Sequence, residues 1–122
     1  MIDFHSFENI PRRGGFTIVR IEPAAGLLLD ALGREAIAGT QIVERNFEIA
    51  IKSDLTEEEQ SVTLYHEILE AAAVASPNPP PTVIDLNEGD FERAAYSAHE
   101  QFGVASVENL NRMLQSYGFK EN

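Results

Sequence analysis

Between Leu64 and Ala73 the chain reads LYHEILEAAA, a run that sets His66, Glu67 and Glu70 among residues that are otherwise almost wholly apolar. With Thr63, these residues stand at i, i+3, i+4 and i+7, so on a helix all four share one face. Such a face has two readings: the wet side of an amphipathic helix, or a chemical site. Cβ atoms four residues apart on a helix are only about 5–6 Å apart, so His66 and Glu70 can share one metal ion. Glu67 then projects beside that ion rather than toward it. A carboxylate there can take a proton from the water that a metal activates, as the glutamate of H-E-x-x-H does. Here the second histidine of that pattern is a glutamate. Its carboxylate is still a legitimate zinc ligand, binding at about 2.0–2.2 Å.

A third ligand must come from elsewhere. The chain has three histidines, and His99 stands on the next predicted helix, which can pack beside the first after a proline-rich reversal. His66, Glu70 and His99 then make a catalytic zinc set of two histidines and one carboxylate, with the fourth position left to water. The other reading of His99 is an exposed helix face, since Glu92, Arg93, Tyr96 and Glu100 lie near it at helical spacing. Tyr96, one turn before His99, is a candidate for steadying an oxyanion, with packing as the alternative. His5 lies in an irregular N-terminal segment and reads as an incidental surface residue.

The elements that must carry these residues follow from local signals. "PRRGG" (Pro11 to Gly15) reads as a turn or flexible lead-in. Phe16 to Ile21 reads as a strand. Pro23 opens a short helix across "AAGLLLDAL", with Gly33 as its stop. Gln41 to Lys52 alternates, with Phe47, Ile49 and Ile51 on one face and Glu48, Ala50 and Lys52 on the other. A hairpin turn at Gly39-Thr40 is expected before it. Thr56 and Glu59 fit a capping box, so the site helix should run from Glu57 to Ala75, where "SPNPPP" ends it. A third helix should open near Asp90 and run to Gly103. A fourth runs from Ser106 to Gly118, with Val107, Leu110, Met113, Leu114 and Tyr117 as its apolar stripe. The order of strands and then helices predicts an α+β domain with a small mixed or antiparallel sheet, spanning residues 1–122 as one unit.

Composition narrows the chemistry. Cysteine is absent, which excludes disulfides, thiolate metal sites and cysteine nucleophiles. The formal net charge is -11, which argues against nucleic acid and for a basic partner. The N-terminal residues lack the apolar core of a signal peptide, and no apolar run is long enough for a membrane span, so a cytoplasmic protein is expected. A di-iron carboxylate bundle needs two Glu-x-x-His pairs, but Thr63 precedes His66 and Tyr96 precedes His99 at that spacing. Gly-x-Ser-x-Gly and phosphate-cradling glycine loops are also missing from the sequence.

The run "IAIKSDLTEEEQSVTLYHEILEA" resembles the heart of the minimal zincin metallopeptidases, particularly the ImmA/IrrE type. Ile49 to Ile51 matches their edge strand, Leu55 to Gln60 the acidic turn, and Thr63-Leu64-Tyr65-His66-Glu67 the start of their metal-binding helix. "FERAAYSAHEQFG" is similar to their second helix, and the resemblance spans roughly Phe47 to Gly103. The departure is Glu70, where the family has its second metal-binding histidine. The resemblance implies a zincin-like fold and zinc-dependent hydrolysis of a peptide bond. It also implies an extended substrate paired with the edge strand, here Phe47 to Lys52, and a separate repressor or antitoxin as substrate. The family would place a carboxylate early in the second helix, nearest to Glu92. Charge favours His99, because two carboxylates and one imidazole would neutralise a divalent ion. Glu92 then becomes an outer-shell partner. The rival reading is a non-enzymatic, acidic interaction module of similar fold.

Overall fold

The alternation of Phe47, Ile49 and Ile51 with more exposed neighbours becomes, in the computed structural model, the strand on which the sheet is assembled. The structure describes residues 2–8, 10–12, 16–25, 28–29, 33 and 35–119. A 3-10 turn at Phe4–Phe7 precedes six strands: β1 (Ile10–Arg12), β2 (Phe16–Ala24), β3 (Leu28–Leu29), β4 (Glu35–Ala36), β5 (Ala38–Val43) and β6 (Asn46–Lys52). Four helices follow: α1 (Glu57–Ala75), α2 (Pro81–Ile84), α3 (Glu88–Phe102) and α4 (Val107–Ser116). The fold is mixed α+β. The main sheet has the order β1-β2-β6-β5, with β2 and β6 parallel and the β1–β2 and β5–β6 pairs antiparallel. β3 and β4 form a separate two-stranded ribbon.

One apolar layer joins sheet and helices. Ile18 and Ile21 of β2 and Phe47, Ile49 and Ile51 of β6 are buried with Leu64, Tyr65, Ile68, Leu69 and Ala72 of α1. α4 adds Leu110, Met113 and Leu114, and α3 adds Phe91, Ala95 and Ala98. Burying a Leu or Ile side chain contributes about 1.5–3 kcal/mol, so this layer fixes how α1 lies on β5 and β6. The alanines of α3 let the two helix backbones approach closely. α1 and α3 therefore run side by side over most of α3, from the His66–Glu88 contact to the Ser61–His99 contact.

Three expectations are corrected. Pro23 sits within β2, opposite Ile51, and Leu28–Leu29 is a strand, so the helix expected across 24–32 does not form there. Residues 26–27 and 30–32 lie outside the described residues, as do Arg13 to Gly15 of the expected N-terminal turn. β1 pairs with only Phe16 to Ile18 of β2, so the missing N–H of Pro23 removes no ladder bond on that side. Gly39 and Thr40 lie inside β5, and the hairpin turns instead at Glu44-Arg45, with Val43 opposite Asn46. Glu44 adopts φ 59° there, a left-handed conformation that Gly or Asn usually supplies. The third correction is the start of α3. Asn87 caps it, accepting from the Asp90 N–H at 2.8 Å while Asp90 accepts from the Asn87 N–H at 3.1 Å. The helix thus opens at Glu88, before the expected Asp90.

Candidate functional site

Thr56 sets the phase of the site helix. Its hydroxyl accepts from the Glu59 N–H at 3.2 Å, and the Glu59 carboxylate accepts from the Thr56 N–H at 2.9 Å. These two bonds close the first turn of α1 and hold the Glu59 carboxyl below the usual carboxylate range. From that start, the turns carrying His66, Glu67 and Glu70 face a groove of about 810 Å³ whose walls come from β5, α1 and α3. The polar side of α1 is therefore not a plain solvent face. Ser61 and Thr63 are buried, and His66, Glu67 and Glu70 are each only partly exposed.

His66 is the hub. Its Nε2 lies 3.0 Å from Glu70 Oε2 and 2.9 Å from Glu88 Oε1. Its ring stacks on Phe91, with centroids 6.4 Å apart and planes 12° off parallel. Phe91 is itself buried, so the packing of α3 sets the orientation of the imidazole. His66, Glu70 and Glu88 each offer one ligand atom within 4.8 Å of the others. Tetrahedral zinc with bonds of 2.0–2.2 Å requires ligand atoms about 3.3–3.6 Å apart. The two His66 contacts are a few tenths of an ångström shorter than that, and the largely exposed Glu88 side chain (74%) is free to widen its own. One imidazole nitrogen and two carboxylate oxygens are donor types that zinc accepts.

Glu67 lines the same groove. Burial pushes its carboxyl up to about 7; the nearby Glu70 and Glu88 push the same way, and His66 opposes them. A carboxylate poised near neutrality is matched to accepting and returning a proton at physiological pH. Glu70 is also raised, first by burial and then by Glu88, with His66 opposing.

The residue that stands beside His66 and Glu70 is Glu88, not the expected His99. His99 Nδ1 lies 2.7 Å from Ser61 Oγ, and Ser61 Oγ also accepts from the Ala105 N–H at 2.8 Å. That cluster ties α1 to the segment between α3 and α4. Glu88 and His99 are eleven residues apart on α3, roughly 16 Å along the axis, so His99 does not share the position of Glu88 beside His66. Glu92, the carboxylate favoured by resemblance, lines the groove one turn beyond Glu88 but stands outside the ligand cluster. Tyr96 lines the groove as well and is 51% exposed, so it does not pack in the core. His5 is exposed and lies 3.2 Å from Glu8.

Phe47 to Lys52, expected at the sheet edge, is an inner strand. β6 is flanked by β2 and β5, so both of its hydrogen-bonding edges are occupied. The sheet edge beside α1 is β5, and Ala38 to Thr40 together with Ile42 line the groove. No family model matches this chain, and no curated protein or solved structure matches it. Among the described residues, no helix is long and apolar enough to cross a membrane.

Proposed function

We propose that this chain is a zinc-dependent peptide hydrolase with a zincin-like arrangement, its metal held by His66, Glu70 and Glu88 and its proton-transfer base being Glu67. One observation carries the reading: the partly buried Glu67 carboxyl lines the same groove as a three-donor cluster. Zinc bound there would supply Lewis acidity to a scissile carbonyl and acidify the attacking water. Glu67, on the same wall of the groove, would accept the proton that this water loses and pass it to the departing amine. β5 offers backbone N–H and C=O groups to an extended substrate, here a segment of a separate protein such as a repressor or antitoxin. Two carboxylates and one imidazole leave a divalent ion formally neutral, so its hold on carbonyl and water is weak. Slow turnover is the expected outcome.

The ion-pair geometry of His66 favours a second reading. With carboxylate oxygens at 3.0 and 2.9 Å, an Nε2–H on His66 is already partnered without a metal, and the triad then serves to fasten α1 to α3 in a non-catalytic interaction module. Glu67→Gln separates the two. In the hydrolase, zinc stays bound and cleavage of a generic unfolded substrate, such as labelled casein, falls to background. Cleavage retained in that variant removes Glu67 from the mechanism. Absence of both zinc and cleavage in the wild type favours the module.

A further inference from the structure

Three residues of α3 face the groove one turn apart: Glu88, Glu92 and Tyr96. Glu88 is engaged by His66. Glu92 is exposed and, among the described residues, forms no hydrogen bond or ion pair. Tyr96 presents a half-exposed ring one turn further on. The facing wall is β5, whose outer edge pairs with no strand among the described residues. Within that wall, Thr40 Oγ1 is buried and has no hydrogen-bond partner among the described residues. Exposed Ile37 and Val74 line the same groove. Among the described residues its acidic charge is unopposed by any Lys or Arg: Glu59, Glu67, Glu70, Glu88 and Glu92 line it.

We infer that Glu92 and Tyr96 form a receptor for a Lys or Arg side chain, and that the groove's occupant is an extended segment of a partner protein in which basic and apolar residues alternate. The inference rests on the reading of the groove as a peptide site but not on zinc or hydrolysis. An unpaired edge strand takes an added strand through its backbone, which supplies affinity without regard to sequence. Side chains of the added strand then alternate between its two faces, so basic and apolar residues are sorted to different walls. A cation directed at α3 meets the unpaired Glu92 carboxylate and the face of Tyr96, an ion pair combined with a cation–π contact. A carboxylate in the same place meets a one-sign acidic wall. Ile37 and Val74 offer apolar surface to the residues between the basic ones. The net charge of -11 adds long-range attraction for such a segment.

The test uses chelator-treated full-length protein and a fluorescent ten-residue peptide of alternating Arg and Val, read by polarisation at low and physiological salt. The inference expects saturable binding, weakened by salt. A peptide with Glu in place of Arg should bind at least tenfold more weakly, and N-methylation of alternate amides should abolish binding. Glu92→Lys should weaken the Arg peptide by about tenfold and Tyr96→Ala by about threefold. Glu100→Lys, the same charge change at another exposed position of α3 outside the groove, should weaken it less than twofold. Four results would overturn the inference: no binding of the Arg peptide, equal binding of the Glu peptide, undiminished binding of the N-methylated peptide, or equal effects of Glu92→Lys and Glu100→Lys. Because zinc is absent throughout, failure of the hydrolase reading leaves these outcomes unchanged.

Discussion

Replacing Glu67 by Gln should change how stability depends on pH, by an amount that follows from where its carboxyl sits. In the folded chain that carboxyl is pushed up to about 7, from an ordinary value of 4.5. Below pH 4.5 the group is neutral in both folded and unfolded chains and favours neither. Between 4.5 and 7 the unfolded chain ionises while the folded one does not, so stability falls as pH rises. Above 7 both are ionised and the loss is complete. At 1.36 kcal/mol per pH unit the full displacement is about 3 kcal/mol, reduced to about 2–3 kcal/mol by water in the open groove. Glutamine has nearly the same shape and no charge to lose, so the variant lacks this contribution. Urea denaturation in chelator at pH 5 and pH 8 measures it. Because the unfolded carboxyl is already largely ionised at pH 5, stability of the wild type should fall by about 2 kcal/mol more than that of Glu67→Gln over this interval. The variant should therefore be the more stable of the two at pH 8. Parallel pH profiles would refute the reasoning, because they would mean that Glu67 is solvated in the folded chain.

Two further perturbations probe the frame around the site. Ser61→Ala removes the acceptor of the Ala105 N–H and the partner of His99; it should destabilise by about 2 kcal/mol in urea while leaving zinc binding intact. Gly103→Ala places a side chain at φ 93° and ψ -162°. No atom lies within 4 Å of the added Cβ, so the expected loss of about 1–3 kcal/mol in thermal unfolding is one of backbone conformation alone.

What the sequence made legible was local. α1 was readable because Thr56, Glu59 and the prolines from Pro77 onward write both of its ends within a few residues of each. α4 was readable from Leu110, Met113 and Leu114, which all face the core. β6 was readable from its alternation. The hairpin turn was not, because the left-handed position falls on Glu44 rather than on the Gly or Asn that usually announces it. Pro23 and the leucines after it carry signals that suit helix or strand alike, and pairing with β6 decided the matter at Pro23.

At the site, His66 and Glu70 were legible from spacing along a single helix. Glu88 was not, because its place depends on how α3 lies against α1, a matter settled by Phe91, Ala95 and Ala98 packing on α1. One local signal pointed to it. Asn87-x-x-Asp90 spells a capping box, which makes Glu88 the first residue of α3 and brings its carboxylate level with His66. Strand order was equally non-local: nothing within Phe47 to Lys52 says that β5 lies outside it and takes the edge.

The central claim, a zinc site built from His66, Glu70 and Glu88, is tested most directly by calorimetric titration of zinc into chelator-treated protein. Wild type, His66→Ala, Glu88→Gln and His99→Ala should be compared at pH 7.5. The account predicts one zinc per chain, affinity lowered at least tenfold in His66→Ala and Glu88→Gln, and near-wild-type affinity in His99→Ala. A wild type that takes up no zinc, or a His99→Ala variant that loses it while Glu88→Gln keeps it, would contradict the account.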